Sequence, residues 1–145
     1  MTALSEAPIV LTRGSDVLTQ TAQTEGARRL LGVGAATGAS RIWMGRVENA
    51  PGEWSAPHHH GEAETGGFVL SGRARIYFGA DYSEFIDMGA GDFCFVPPFV
   101  PHIEGNMSDT EPLVYITART PDNIVVNLPG PGRDVHADTL RAGRS

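Results

Sequence analysis

The chain has 145 residues and a formal net charge of −6, enough for one domain with a buried core and too acidic to expect a nucleic-acid or anionic-membrane surface. Its 18 glycines and 10 prolines, with no long helical periodicity, suit an all-β protein rich in turns. All 11 basic residues are arginine, and the absence of lysine excludes Schiff-base catalysis by an enzyme amine and lysine-anchored pyridoxal phosphate.

The N-terminal stretch MTALSEAPIV has no basic segment followed by an apolar core, so no secretory signal is expected. No apolar run approaches the ~20 residues of a membrane-spanning helix. Cys94 is the single cysteine, which permits no internal disulfide and agrees with a cytoplasmic location. Between Phe93 and Phe95 it reads as a buried apolar residue and not a nucleophile. Residues 1–40 are mixed, with a short Ala/Arg/Leu stretch at Ala27–Leu31 and a Gly/Ala/Thr/Ser loop at Gly32–Ser40. Arg41–Glu48 reads as a strand, and Asn49–Pro57 as a turn-rich connection. Phe68–Leu70 and Arg73–Phe78 read as strands around a turn at Ser71-Gly72, followed by a short strand at Glu84–Met88. Phe93–Val96 is an apolar strand stopped by Pro97-Pro98. His102–Asn106 and Leu113–Ala118 follow as strands, and Ile124–Leu128 is the last apolar segment. The core is expected over about residues 40–128, with 129–145 a loosely held tail. Many short strands with turns every ~8–12 residues predict a single-domain sandwich or barrel.

The chemistry is concentrated in five histidines, three of them consecutive. An internal run is not an expression tag, which would sit at a terminus. Strand side chains alternate faces, so His58 and His60 share one face while His59 takes the other. With His102 arriving from a later strand, three imidazoles converge as a metal site would require.

The spacings around these residues resemble the cupins, a family of small jelly-roll barrels. The first cupin motif, H-x-H-x(3–4)-E-x6-G, lies on His58, His60, Glu64 or Thr65, and Gly72. The second, G-x5-P-x-G-x2-H-x3-N, lies on Gly91, Pro97, Phe99, His102 and Asn106, with Phe99 in place of the inner glycine. Together they cover residues 58–106. The resemblance implies an all-β, single-domain jelly roll with His58, His60 and His102 as metal ligands.

Counting back seven from Gly72 places Thr65, not Glu64, where the family has its ligand glutamate. A one-residue slip turns a side chain to the opposite face. Glu64 would reach the metal only through a bulge at Gly66-Gly67. A site without that carboxylate favours zinc, copper or nickel over iron or manganese, and zinc is the expected metal, acting as Lewis acid and water activator. His59, His136 and Glu64 are the open candidates for a fourth ligand. Phe93, Phe95, Phe99, Trp43, Trp54, Phe68, Tyr77 and Tyr115 give an aromatic neighbourhood. Most are expected in the core and some at the barrel mouth, where they would suit a flat, apolar ligand.

The run from His58 to Thr65, Ser71-Gly72-Arg73-Ala74-Arg75, Pro97-Pro98 with Pro101-His102, and Asn123–Pro129 are similar to the small single-domain cupins of bacterial aromatic polyketide pathways. That similarity implies a cyclase that folds a hydrophobic poly-β-ketone by aldol condensation and aromatisation. A water on the metal is then the candidate base, with Glu64 a second. The alternatives are a metal-dependent dioxygenase of a flavonol-like or phenolic substrate, using iron, nickel, copper or manganese, and a non-catalytic ligand cup. Exposed strand edges near both termini favour a homodimer.

Overall fold

The computed structural model describes residues 4–129. His136 and the expected tail beyond Pro129 lie outside the described residues. Ten strands follow in chain order: β1 (Arg28–Val33), β2 (Trp43–Asn49), β3 (His58–His59), β4 (Glu64–Ser71), β5 (Arg73–Phe78), β6 (Glu84–Gly89), β7 (Phe93–Val96), β8 (Ile103–Asn106), β9 (Leu113–Thr120) and β10 (Val126–Asn127). Helix among the described residues is limited to three single 3-10 turns. A five-stranded sheet runs β1-β2-β9-β4-β7, a three-stranded sheet runs β6-β5-β8, and β10 pairs with β3. All these pairings are antiparallel.

The sheets enclose Val47, Val69, Ala74, Ile76, Met88, Leu113 and Tyr115, contributed by β2, β4, β5, β6 and β9. β2 and β9 show why: their burial alternates residue by residue, so one face of each lies inside. The result is an all-β jelly-roll sandwich.

Two differences from the sequence expectation bear on the site. The Ala27–Leu31 stretch belongs to a strand, β1, which pairs with β2 from Arg28 opposite Glu48. Two adjacent arginines mask it, because Arg29 points inward and is fully buried. β4 begins at Glu64, four residues before the expected Phe68. Its glycines are built into the sheet, with Gly66 opposite both Phe95 and Ala118. Gly67 is required there, since a Cβ would lie 2.8 Å from the Cys94 sulfur. The irregularity in the β4–β9 ladder falls between Val69 and Ser71, not at Gly66-Gly67.

Candidate metal centre

His58 and His102 are fastened to each other by an antiparallel bridge, with backbone hydrogen bonds of 3.1 and 2.9 Å in the two directions. His60 follows at the end of β3, and all three side chains are buried. Their rings pack at centroid distances of 4.4 to 5.1 Å, and one ligand atom from each lies within 4.8 Å of the others.

Each imidazole is oriented by its other nitrogen. The Nδ1 atoms of His58, His60 and His102 lie 2.9, 2.8 and 2.8 Å from the carbonyl oxygens of Ala56, Ile124 and Val100. A carbonyl only accepts, so each Nδ1 must carry the proton and each Nε2 keeps its lone pair. That is the tautomer of a metal ligand held by a backbone carbonyl. Burial, with His102 and Arg29 adding, holds the His58 pKa down to about 3 against the opposing charge of Glu104. Burial and Arg119 take His60 to about 2, and burial likewise lowers His102. Three neutral imidazoles with inward lone pairs are a ready donor set for zinc, nickel, copper or iron. The His102 Nε2 is buried without a hydrogen-bond partner, as a ligand atom would be. The residues therefore fit a divalent metal.

Three charged residues surround the trio that the sequence did not single out. Arg29 donates to His58 Nε2 at 3.3 Å and Arg119 to His60 Nε2 at 3.1 Å, so a metal bound by these two histidines would displace the arginine N–H groups. Both arginines are buried. Arg29 also donates to Thr24, and Arg119 to Thr117 and Asn123 while lying 5.5 Å from the Trp43 ring. Burial and the charge of Arg29 lower the Arg119 pKa to about 10, which leaves it cationic near neutrality. Glu104 supplies the counter-charge, 3.7 Å from both Arg29 and His58 Nε2 and 3.9 Å from His102 Nε2. Burial alone would raise its pKa, but the facing His58, His102 and Arg29 hold it below the ordinary carboxylate value.

Thr65 occupies the inward position that register counting gave it, buried and with its hydroxyl unpartnered. Glu64 is exposed at the start of β4, opposite Thr120. His59 points away from the trio, and its Nδ1 accepts the Gly61 N–H at 2.9 Å. Cys94 is half-buried, its thiol pushed up to about 11 by burial and by Glu104. Arg75 makes a two-point ion pair with Asp87 across β5 and β6. Asn106, the last residue of the second motif, is fully buried, donates to the carbonyls of Ala50 and Glu111 and accepts the N–H of Ser108.

The interior is smaller and less aromatic than the cavity expected. Its free space is about 20 Å³ counted at water centres, room for roughly one water. Thr65, Tyr115, Thr117, Arg119 and Glu104 line one part and aliphatic residues much of the rest, so Tyr115 is the single Phe, Tyr or Trp there among the described residues. The apolar space lies instead at the rim. A groove of about 320 Å³ between Ile76, Phe78, Ile86, Phe95, Val96 and Val100 reaches His102. Phe93, Phe95 and Phe99 are 78%, 61% and 64% exposed, on the surface and not in the core. A larger open hollow, about 840 Å³, lies over Arg28, Glu48 and Asn49 and carries no histidine.

An antiparallel jelly roll with three inward imidazoles on two bridged strands defines a small β-barrel protein with a candidate metal centre. Residues 45–119 match the family model of the cupin domain, and the chain belongs to the cupin family. No curated protein sequence matches it. Among solved structures, the polyketide cyclase RemF from Streptomyces resistomycificus aligns at TM-score 0.70 and 18% identity, over 90% of this chain and 94% of that one. An uncharacterised conserved protein with a double-stranded β-helix domain from Klebsiella pneumoniae aligns at TM-score 0.61 and 20% identity, over 76% and 91%. A single-substitution variant of oxalate decarboxylase from Bacillus subtilis aligns at TM-score 0.62 and 26% identity, over 72% of this chain. The chain spans only 29% of that decarboxylase.

Proposed function

We propose that this chain is a metal-dependent cyclase that closes a ring in a poly-β-ketone by intramolecular aldol condensation, with His58, His60 and His102 holding the metal. The observation that carries this reading is the pairing of three neutral, inward imidazoles with two buried guanidiniums. A bound divalent ion, zinc by the imidazole donors, would supply Lewis-acid polarisation of a ketone oxygen. The chain's own residues would do the rest. Arg29 and Arg119 put positive charge where negative charge develops on an enolate or alkoxide oxygen, inside a site that excludes bulk water. The new carbon–carbon bond joins the enolate carbon to the polarised carbonyl carbon. The proton removed from carbon returns to the resulting alkoxide, water is lost as the C–OH and an adjacent C–H bond break, and enolisation of the remaining ring ketones completes the aromatic ring. The rim groove beside His102, apolar and about 320 Å³, suits a hydrophobic chain held in one orientation with its reacting end at His102. The overlay on RemF, itself a polyketide cyclase, over 90% of this chain and 94% of that one, supports the reading at the level of shape.

Native protein should contain about one zinc per chain by mass spectrometry, and His60→Ala or His102→Ala should lose both metal and cyclisation. Full cyclisation by protein stripped of metal would overturn the mechanism.

A dioxygenase acting on a flavonol-like or phenolic substrate is the second reading, favoured by one observation. Glu104 brings a carboxylate beside the imidazoles, and oxygen ligation broadens the fit toward iron and manganese. Substrate-dependent oxygen uptake would select this reading, and zinc content without oxygen uptake would reject it.

A further inference from the structure

We propose that Glu104 is a ligand of the metal, giving the chain a three-histidine, one-carboxylate site whose carboxylate comes from β8 instead of β4. The inference rests on the reading that the three histidines hold a metal, and deepens it.

Glu104 follows His102 by two residues, so the two side chains leave β8 on the same face. The backbone there is pinned from two sides. The Glu104 N–H donates to the Ser55 hydroxyl at 3.0 Å, and its carbonyl accepts from the Ser55 N–H at 2.8 Å. Two residues earlier, His102 is bridged to His58. The carboxylate oxygens then fall 3.7 Å from His58 Nε2 and 3.9 Å from His102 Nε2. Donors around one tetrahedral ion with bonds near 2.1 Å sit roughly 3.4 Å apart. The observed separations, one carboxylate oxygen to His58 and the other to His102, exceed that spacing by about 0.3 and 0.5 Å, and the three imidazole ligand atoms lie within 4.8 Å of one another, so the donors would draw together around an ion.

A role as counter-ion to Arg29 alone fits less well. Their 3.7 Å contact is longer than a hydrogen bond, whereas a dedicated arginine–carboxylate pair closes to about 2.7–2.9 Å on two points. Arg75 and Asp87 in this same chain make such a pair at 2.6 and 2.9 Å. Charge points the same way. Arg29 and Arg119 are both buried beside the imidazoles, and a dication added to them requires an anion within the site. Thr65 brings no charge and Glu64 is exposed, which leaves Glu104 as the carboxylate ion-paired with the trio among the described residues.

The test compares the full chain with Glu104→Gln, both stripped and titrated with zinc against a competing chelator dye. Zinc affinity of the variant should fall by at least about 100-fold, beyond the 10–100-fold typical of an outer partner. Infrared difference spectra of the natural chain, with and without zinc, should show one carboxylate pair of bands shifting on loading. This second measurement decides the matter if the variant fails to fold. Unchanged affinity in a folded variant, or carboxylate bands that do not move in a chain that binds zinc, would overturn the Glu104 assignment alone. A natural chain that takes up no zinc would overturn the metal reading and this inference with it.

Discussion

Arg119 touches an imidazole, packs on Trp43, and is held by Thr117 and Asn123, so its charge is placed and not incidental. Arg119→Gln keeps polar contacts but removes that charge. On the proposed cyclase reading, zinc should then bind at least as tightly, because a like charge has left, while cyclisation turnover falls by about 10²–10³-fold. Equal turnover in the two proteins would remove Arg119 from the chemistry. Phe99 is placed with less economy. Its φ of 61° is left-handed, and its ring is mostly exposed near His59. Such a conformation costs a non-glycine residue about 1–2 kcal/mol. Phe99→Gly should raise the unfolding free energy read from urea denaturation modestly, by up to about 1 kcal/mol once glycine's extra unfolded freedom is counted. The inner glycine of the cupin motif is thus the relaxed choice at this turn. At this scale parity makes His58, His60, His102 and Thr65 legible. The same parity places Glu104 beside His102, yet a charged residue within a short strand gives no cue that it is buried.

At the scale of elements, β5 and β7 match their sequence readings residue for residue, because Gly72 and Gly79 bracket the first and the Gly91-Asp92 turn and Pro97 bracket the second. β9 extends two residues beyond its sequence reading, which ends with the apolar run at Ala118. Its inward row is Leu113, Tyr115, Thr117, Arg119. A buried arginine looks like a strand terminator from sequence, and Arg29 masks β1 for the same reason. β8 depends on one small residue. A Cβ on Gly105 would lie 2.5 Å from the Trp54 ring and 2.8 Å from the Glu53 carbonyl. Gly105→Val should therefore cost about 1–3 kcal/mol in chemical denaturation. It should also weaken zinc binding, since both His102 and Glu104 hang on the displaced strand. Undiminished zinc affinity in a destabilised variant would show that the site tolerates movement of β8.

The whole molecule carries a pH signature. In metal-free protein the folded His58 and His60 titrate near 3 and 2, while unfolded histidine titrates near 6.5. Between those values the unfolded chain binds more protons than the folded one, so stability is present above about pH 6.5 and is lost as pH falls. Each imidazole contributes a slope of about 1.4 kcal/mol per pH unit. Glu104, also lowered, acts in the same direction. Urea midpoints should drop steadily from pH 7 to pH 4, and a flat profile would mean that the histidines reach solvent in the folded state.

The site joins distant parts of the chain. Thr24 holds Arg29, Ile124 holds His60, and Asn123 ties Arg119 back to Thr21 and Ala22 across about a hundred residues. During synthesis, a nascent chain that has emerged only as far as His102 would own all three imidazoles but not the carbonyl that orients His60 or the strand that seats β3. On the proposed metal reading, the complete site forms only with the last strands, and zinc added to the unfolded chain should not hasten refolding, which long-range pairing already makes slow.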